Sequence, residues 1–402
     1  MTNLASTTEP IDLDPYSEHA QRDPFPYYDR LRDLGPVTYV PTRDVWLVPG
    51  YAEATQVLRN HAEFVSGDGV TFDVPSTRTE RYPLIENDPP IHDRIRRSVQ
   101  PSFSKRAVEA LRPGVEAAAT TIAQRAVELG QFDAVQVLAQ EMPDQAMTLL
   151  TGVTPPSADT LAAWSDAVSR NEEPAGTEVH AARVTEALTW LVSDGLPAMP
   201  EHCLGRLIVD SGGNDGSLPE DGSQRVMTLA SIWLAGIDST GAVLGNAINA
   251  FIEHPDQWDL LRSQPDLIPN AAEELLRFGT PFKAFYRRTR SDTQIGGVDV
   301  PAGARVSVML AAANRDPHQF PNPDRLDVTR ENARTHVGFG HGLHVCLGSP
   351  LARLEIISLL TELTRRVVRF ERTGEALRSP SQTVHKFETL PVRAIVTEDA
   401  SK

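Results

Sequence analysis

Phe339-Gly340-His341-Gly342-Leu343-His344-Val345-Cys346-Leu347-Gly348, followed by the helix-forming run Leu351-Ala352-Arg353-Leu354-Glu355, is the stretch on which the reading of this chain turns. A glycine-rich backbone lets N–H groups approach and hydrogen-bond a sulfur, and a helix starting just beyond sets its positive N-terminal end beside that sulfur. Cys346 is therefore placed to be a stabilised thiolate, which serves either as a nucleophile or as a metal ligand. The plainer alternative is a buried structural cysteine after a glycine turn. Another is zinc on His341, His344 and Cys346, although no second cysteine pair or carboxylate cluster lies nearby to complete such a site.

The 402 residues around this stretch carry 38 Lys and Arg against 54 Asp and Glu, a net charge of −16. That surplus argues against an electrostatic binder of nucleic acid, which normally needs a positive surface. With 40% hydrophobic and 23% charged residues, the composition is that of a globular protein with a large core. Cys203 and Cys346 are the only cysteines, so no disulfide framework or cysteine-rich zinc module is available, and a reducing cytosol is expected. Residues 1–10 lack the basic and apolar regions of a signal peptide, and no later run reaches about 18 uninterrupted apolar residues. The expectation is a cytoplasmic protein that does not span a membrane.

Residues 1–10 are expected to be a flexible tail, and 11–402 a single domain. Val37 to Val48 reads as a small hairpin, while Ser104–Leu129 and Gln136–Thr151 show helical spacing. Polar breaks at 172–176 and 211–216 suit loops between helices. From Gln224 to His254 runs a stretch without proline, apolar on most sides, which predicts a buried helix of about 45 Å crossing one core. A helix over Asn270–Phe278, a hairpin over Ile295–Gly303 and a strand over Val306–Leu310 follow, and then a long irregular stretch from Asn314 to Val337. The fold class expected is mainly α with a smaller β-rich part, that is, α+β.

The pattern F-G-x-G-x-H-x-C-x-G resembles the haem-ligand signature of the cytochrome P450 family, with every fixed position filled, including Phe339, Gly340, His344 and Gly348. The resemblance implies the cytochrome P450 fold, with the β-rich part near the N-terminus, and Cys346 as axial ligand to haem b. Thiolate donation to haem iron promotes O–O cleavage. Glu274 and Arg277 form an E-x-x-R pair one helical turn apart. Other such pairs start at Glu109, Glu331, Glu362 and Glu375 and read as solvated faces, whereas Glu274 lies upstream of Phe320-Pro321-Asn322-Pro323-Asp324-Arg325, a loop similar to the family's own. The resemblance implies that Arg325 joins Glu274 and Arg277 in locking the loop that presents Cys346.

Within the long helix, Ala235-Gly236-Ile237-Asp238-Ser239-Thr240 resembles the family's oxygen-activation motif, A-G-x-[DE]-T-T. By that likeness Gly236 gives room to dioxygen, a hydroxyl supports it and Asp238 feeds protons. Ser239 stands where the family usually has threonine, and losing the methyl leaves its hydroxyl less well held. Two readings stay open. In one, Ser239 or Thr240 supplies the hydroxyl for ordinary oxygen activation; in the other, the site leaks or uses peroxide. For the two haem propionates the resemblance supplies His92 and Arg96, four residues apart, together with Arg287 and His344.

Family positions on the distal side map to Ile232, Ala235, Gly236, Phe282 and Phe285, with more expected from the loop 67–83. The aromatic stretch before Arg287 is similar to subfamilies that oxidise small aromatic acids and ethers. That implies hydroxylation or O-dealkylation of a small aromatic compound, with a terpenoid or polyketide-type metabolite as the alternative. Arg94, Arg97, Lys105 and Arg106 invert the local charge and suggest a docking face for an acidic donor, expected to be a ferredoxin served by a ferredoxin reductase and NAD(P)H. The chain is expected to be a monomer. The rival readings are a haem-binding protein without monooxygenase turnover and a peroxide-driven oxidase.

Overall fold

The computed structural model describes residues 17–71, 82–169, 174–379, 381 and 383–396. The expected tail 1–10, and 72–81 of the loop 67–83, lie outside them.

At the centre runs the helix Gly222–Glu253. Asp221 opens it, its carboxylate accepting the Ser223 N–H at 2.9 Å. From Ala242 to Phe251 ten consecutive residues are buried, so this half has no solvent face. The helix is long and apolar enough to cross a membrane. Its apolarity has an internal cause, because the segments 135–140, Glu141–Thr151, Ala158–Ser169 and Leu204–Ser211 pack around it. The helical spacing expected over Gln136–Thr151 resolves into a π-helical Val135–Gln140 followed by the α-helix Glu141–Thr151. Lys105–Leu129 is one helix that runs through Pro113 and packs on Ser349–Arg366.

The larger sheet has five strands in the order Thr38–Val40, Val45–Val48, Arg305–Val308, Phe285–Thr289 and Phe64–Val65. Val45–Val48 and Arg305–Val308 pair in parallel and the other neighbours are antiparallel. The β-rich part is thus shared between the N-terminal region and the segment after residue 284. A second sheet joins Gln131–Asp133, Pro391–Val396 and Val367–Arg372. The expected hairpin is Thr293–Ile295 paired with Val298–Val300, turned by Gly296 and Gly297 at φ of 56° and 82°. The strand expected to reach Leu310 ends at Val308, because Leu310–Ala313 coils into a helical turn.

Of the two polar breaks, 211–216 is a loop from Gly212 onward, tied back by Asn214, whose amide donates to the Ser98 carbonyl at 2.9 Å. The other, 172–176, is not a loop throughout, since the helix Pro174–Trp190 begins inside it.

Candidate functional site

The glycine-rich stretch folds into a tight loop between the 314–337 irregular segment and the helix Ser349–Arg366. Gly340 and Gly342 take φ of 71° and 72°, and a side chain on Gly342 would collide with the Leu58 carbonyl. The Cys346 N–H donates to the Phe339 carbonyl at 2.8 Å, which closes the loop. Backbone N–H groups of Gly348 and Ser349, with the positive charges of Arg96 and Arg353, favour the thiolate; the enclosing protein is the larger effect and pushes the thiol up, even though the side chain is open to the cavity beside it. A bound metal ion would remove that proton.

Cys346 lines a cavity whose walls include Ile232, Ala235, Gly236, Ser239, Thr240, Phe282 and Phe285. His92, buried behind the residues that line this cavity, donates from Nδ1 to Asp93 at 2.9 Å and has no partner for Nε2. Its ring meets that of His344 at 4.6 Å between centroids, and His344 Nε2 is 3.2 Å from the Ser66 hydroxyl. Arg96 reaches the Leu343 carbonyl at 3.4 Å. Arg287, buried on its strand in the cavity lining, donates to the Tyr286 carbonyl at 2.6 Å. Burial pushes Arg287 down to about 10, against the pull of Asp88. Burial, then Arg287, His92 and Arg96, push His344 down to about 3. Arg96 and Arg287 are the fixed cations of this cluster, with Asp88 and Asp93 nearby, and the His92 Nε2 is left without a partner. A planar group carrying two carboxylates and an iron over Cys346 fits these residues.

The central helix separates the three catalytic candidates. Ser239 and Thr240 stand in the wall of this cavity, with the Ser239 hydroxyl bonded back to the Ala235 carbonyl at 3.0 Å. Asp238 is one residue away, hence about 100° around the helix, and lines a second cavity with Gln140, Ser165, Lys386 and Glu388. Its Oδ1 pairs with Lys386 at 2.6 Å, while Oδ2 is buried without a partner. Gly236 lies in the cavity wall, but the space left by its missing side chain is taken by Met147. Phe282 and Phe285 face each other at 4.7 Å between ring centroids.

One assignment needs correction. Glu274 receives Arg277 bidentately at 2.7 and 2.8 Å, both side chains fully buried, but the second cation is Arg330, 3.0 and 3.1 Å from its oxygens, and not Arg325. The Arg325 side chain is 68% exposed, 3.8 Å from Asp256. Only its carbonyl takes part, accepting from Arg277 at 3.4 Å and Arg330 at 3.1 Å. The cause is a turn at Asp327: its N–H donates to Glu274, its carboxylate caps Thr329, and Arg330 is brought inward. An Asp-x-Thr-Arg turn after the proline-rich loop was the available signal.

The zinc arrangement does not assemble. His341 Nε2 accepts from Arg59 at 2.6 Å, and His344 turns toward His92 and Ser66. No cluster of three His, Cys, Asp or Glu suited to a metal occurs among the described residues. Two groups carried no sequence signal. Lys386 is one. The other is Glu355, fully buried in the lining of the cavity with one carboxyl oxygen unpaired and its pKa pushed well above the carboxylate range by burial.

The family model described as cytochrome P450 matches residues 262–375. Cytochrome P450 monooxygenase PikC of Streptomyces venezuelae is 34% identical over 98% of this chain and 96% of its own length. The 6-deoxyerythronolide B hydroxylase of Saccharopolyspora erythraea is 34% identical over 87% of this chain and 89% of its own. The solved structure of cytochrome P450 CREJ in complex with (4-ethylphenyl) dihydrogen phosphate superposes with a TM-score of 0.85 at 26% identity, over 94% of this chain and all of that one. The chain belongs to the cytochrome P450 family and has its fold. It is an oxidoreductase, a monooxygenase, and the family's cofactor is haem.

Proposed function

We propose that this chain binds haem b over Cys346 and inserts one oxygen atom of O2 into a neutral, hydrophobic small molecule by hydroxylation or O-dealkylation. The observation that carries the reading is one cavity joining the amide-cradled Cys346, the hydrogen-bond donors Arg96, Arg287 and His344 with His92 packed behind His344, and an apolar wall. When bound, haem supplies activation of dioxygen, which the side chains alone cannot provide. Arg96, Arg287, His92 and His344 hold its carboxylates. Ile232, Ala235, Phe282 and Phe285 exclude water and orient the substrate. Asp238 holds a proton-relay position at its unpaired Oδ2, charged through Lys386, and passes protons past the helix toward the Ser239 and Thr240 hydroxyls.

The tilted Phe282–Phe285 pair supports an aromatic substrate, since a third ring packs well on such a pair. A polyketide-type substrate is the second reading, favoured by the hydroxylase named for 6-deoxyerythronolide B among the relatives. Electrons come from a ferredoxin with its reductase and NAD(P)H, arriving near Arg94, Arg97, Lys105 and Arg106, all exposed. The active form is a cytoplasmic monomer.

The test is the spectrum of the haem-loaded, reduced protein under carbon monoxide, followed by titration with neutral aromatic ethers, terpenes and macrolactones. A strongly red-shifted Soret band that Cys346→Ala abolishes, and a spin-state shift with aromatic ethers, are expected. Absence of the band refutes haem-thiolate ligation, and a response only to macrolactones moves the substrate to the second reading. Product formed with ferredoxin and NAD(P)H, and not with peroxide alone, separates the monooxygenase from its rivals.

A further inference from the structure

The two neighbouring glutamates of the helix Ile268–Phe278 serve different partners. Glu274 faces Arg277 and Arg330; Glu273, with its side chain 3% exposed, faces the other way. Arg353 grips it at 2.7 and 3.1 Å, and His336 Nε2 lies 3.2 Å from its Oε2. The Gly338 N–H donates to His336 Nδ1 at 3.0 Å, which leaves the ring proton on Nε2, directed at Glu273. A side chain on Gly338 would sit 2.9 Å from the Leu276 carbonyl and 3.1 Å from His336 Nδ1, so only glycine permits this approach.

Between these two partners of Glu273 lies Phe339. Its ring is 5.5 Å from that of His336, and the Arg353 guanidinium stands 4.7 Å above its centroid. The Phe339 carbonyl is the acceptor for the Cys346 N–H. Glu273, on a helix distant in sequence, therefore holds the two side chains that pack on the residue closing the thiolate loop.

We propose that Glu273, His336 and Arg353 act as a positioning clamp on Phe339, fixing the Cys346 sulfur against its backbone donors and so setting how strongly it donates to the metal. The metal clause rests on the haem reading above; the loop-fixing clause does not. None of the three touches the reacting atoms, so they are positioning residues. Glu273 is the pivot, since the His336 and Arg353 contacts hold its carboxyl down to about 2 against the cost of burial.

The experiment compares His336→Gln, which keeps an acceptor and a donor, with His336→Phe, which keeps the ring on Phe339 and loses both. Because the Cys346 side chain is open to the cavity, the loop is read at its backbone: hydrogen exchange of the Cys346 N–H, which donates to the Phe339 carbonyl, is followed by fragment mass spectrometry, with the hairpin 293–300 as the internal reference. Losing the hydrogen bonds should open the loop about fivefold more often, and exchange in the 339–348 fragment alone should rise accordingly in His336→Phe and not in His336→Gln. In the haem-loaded protein, His336→Phe should shift the reduction potential and enlarge the protonated-thiol fraction of the carbon monoxide spectrum. Arg353→Gln replaces His336→Phe if the latter does not fold. Exchange at the wild-type rate in a folded clamp variant, even one of lowered Tm, overturns the proposal. A wild-type chain that takes up no haem sinks the functional reading while the exchange result still decides the loop-fixing clause.

Discussion

Replacing Arg330 with Met removes one cation from a carboxylate with no access to water. Glu274 and Arg277 are 0% exposed and Arg330 6%, and the Arg330 Nε lies within 3.1 Å of both Glu274 oxygens. Arg330 also donates to the carbonyls of Pro321, Asn322 and Arg325 at 2.7 to 3.2 Å, so its loss strands loop acceptors as well. Breaking a buried ion pair by removing one partner costs about 3–5 kcal/mol, or between two and three and a half factors of ten in the folding equilibrium. Arg325→Ala removes a side chain that is 68% exposed and 3.8 Å from its nearest carboxylate, worth about 0–1 kcal/mol. The assay is urea unfolding of the haem-loaded protein, followed by circular dichroism and by the Soret band, with Arg330→Lys as an intermediate that keeps the charge and loses the fork. Equal costs at Arg325 and Arg330, or a cost below about 1 kcal/mol at Arg330, would refute the assignment of the second cation.

Glu355 makes a pH prediction. Its folded pKa is raised well above 4.5, so above pH 4.5 the unfolded chain releases a proton that the folded chain keeps. Native stability then falls by about 1.4 kcal/mol for each pH unit until the buried group ionises. Glu355→Gln removes that slope, and its advantage in Tm should be larger at pH 8 than at pH 6; equal advantages at both count against a buried neutral acid. Asp238→Asn should cut product formation by about a hundredfold and raise the solvent isotope effect, with Lys386→Met intermediate. Wild-type values in both variants would remove Asp238 from the proton route. Charge reversal at Arg97 and Arg106 should slow reduction by ferredoxin at low salt, and the difference should fade as salt rises. Rates independent of both charge and salt would clear that face of any docking role.

The loop around Cys346 was legible because its chemistry demands residues at fixed local spacing, and the same holds for the hairpin at Gly296–Gly297 and for the central helix. What the sequence left open depends on rotation or on distance along the chain. Asp238 sits next to Ser239, yet one residue of helix carries it into another cavity. Arg325 and Arg330 both follow the same proline-rich loop, and only the turn at Asp327 decides which enters the core. Lys386 lies 148 positions from its carboxylate, a pairing that no local pattern announces.

The helix Gly222–Glu253 stands as a partition between two chambers, one walled by Cys346, Ile232 and the Phe282–Phe285 pair, the other holding Asp238 beside Lys386. On the proposed proton route, greasy molecules and protons would come from opposite sides of one wall. A bulky guest would then fill its own chamber without touching Asp238, and side chains that shape the guest's chamber could change without altering the pair behind the wall.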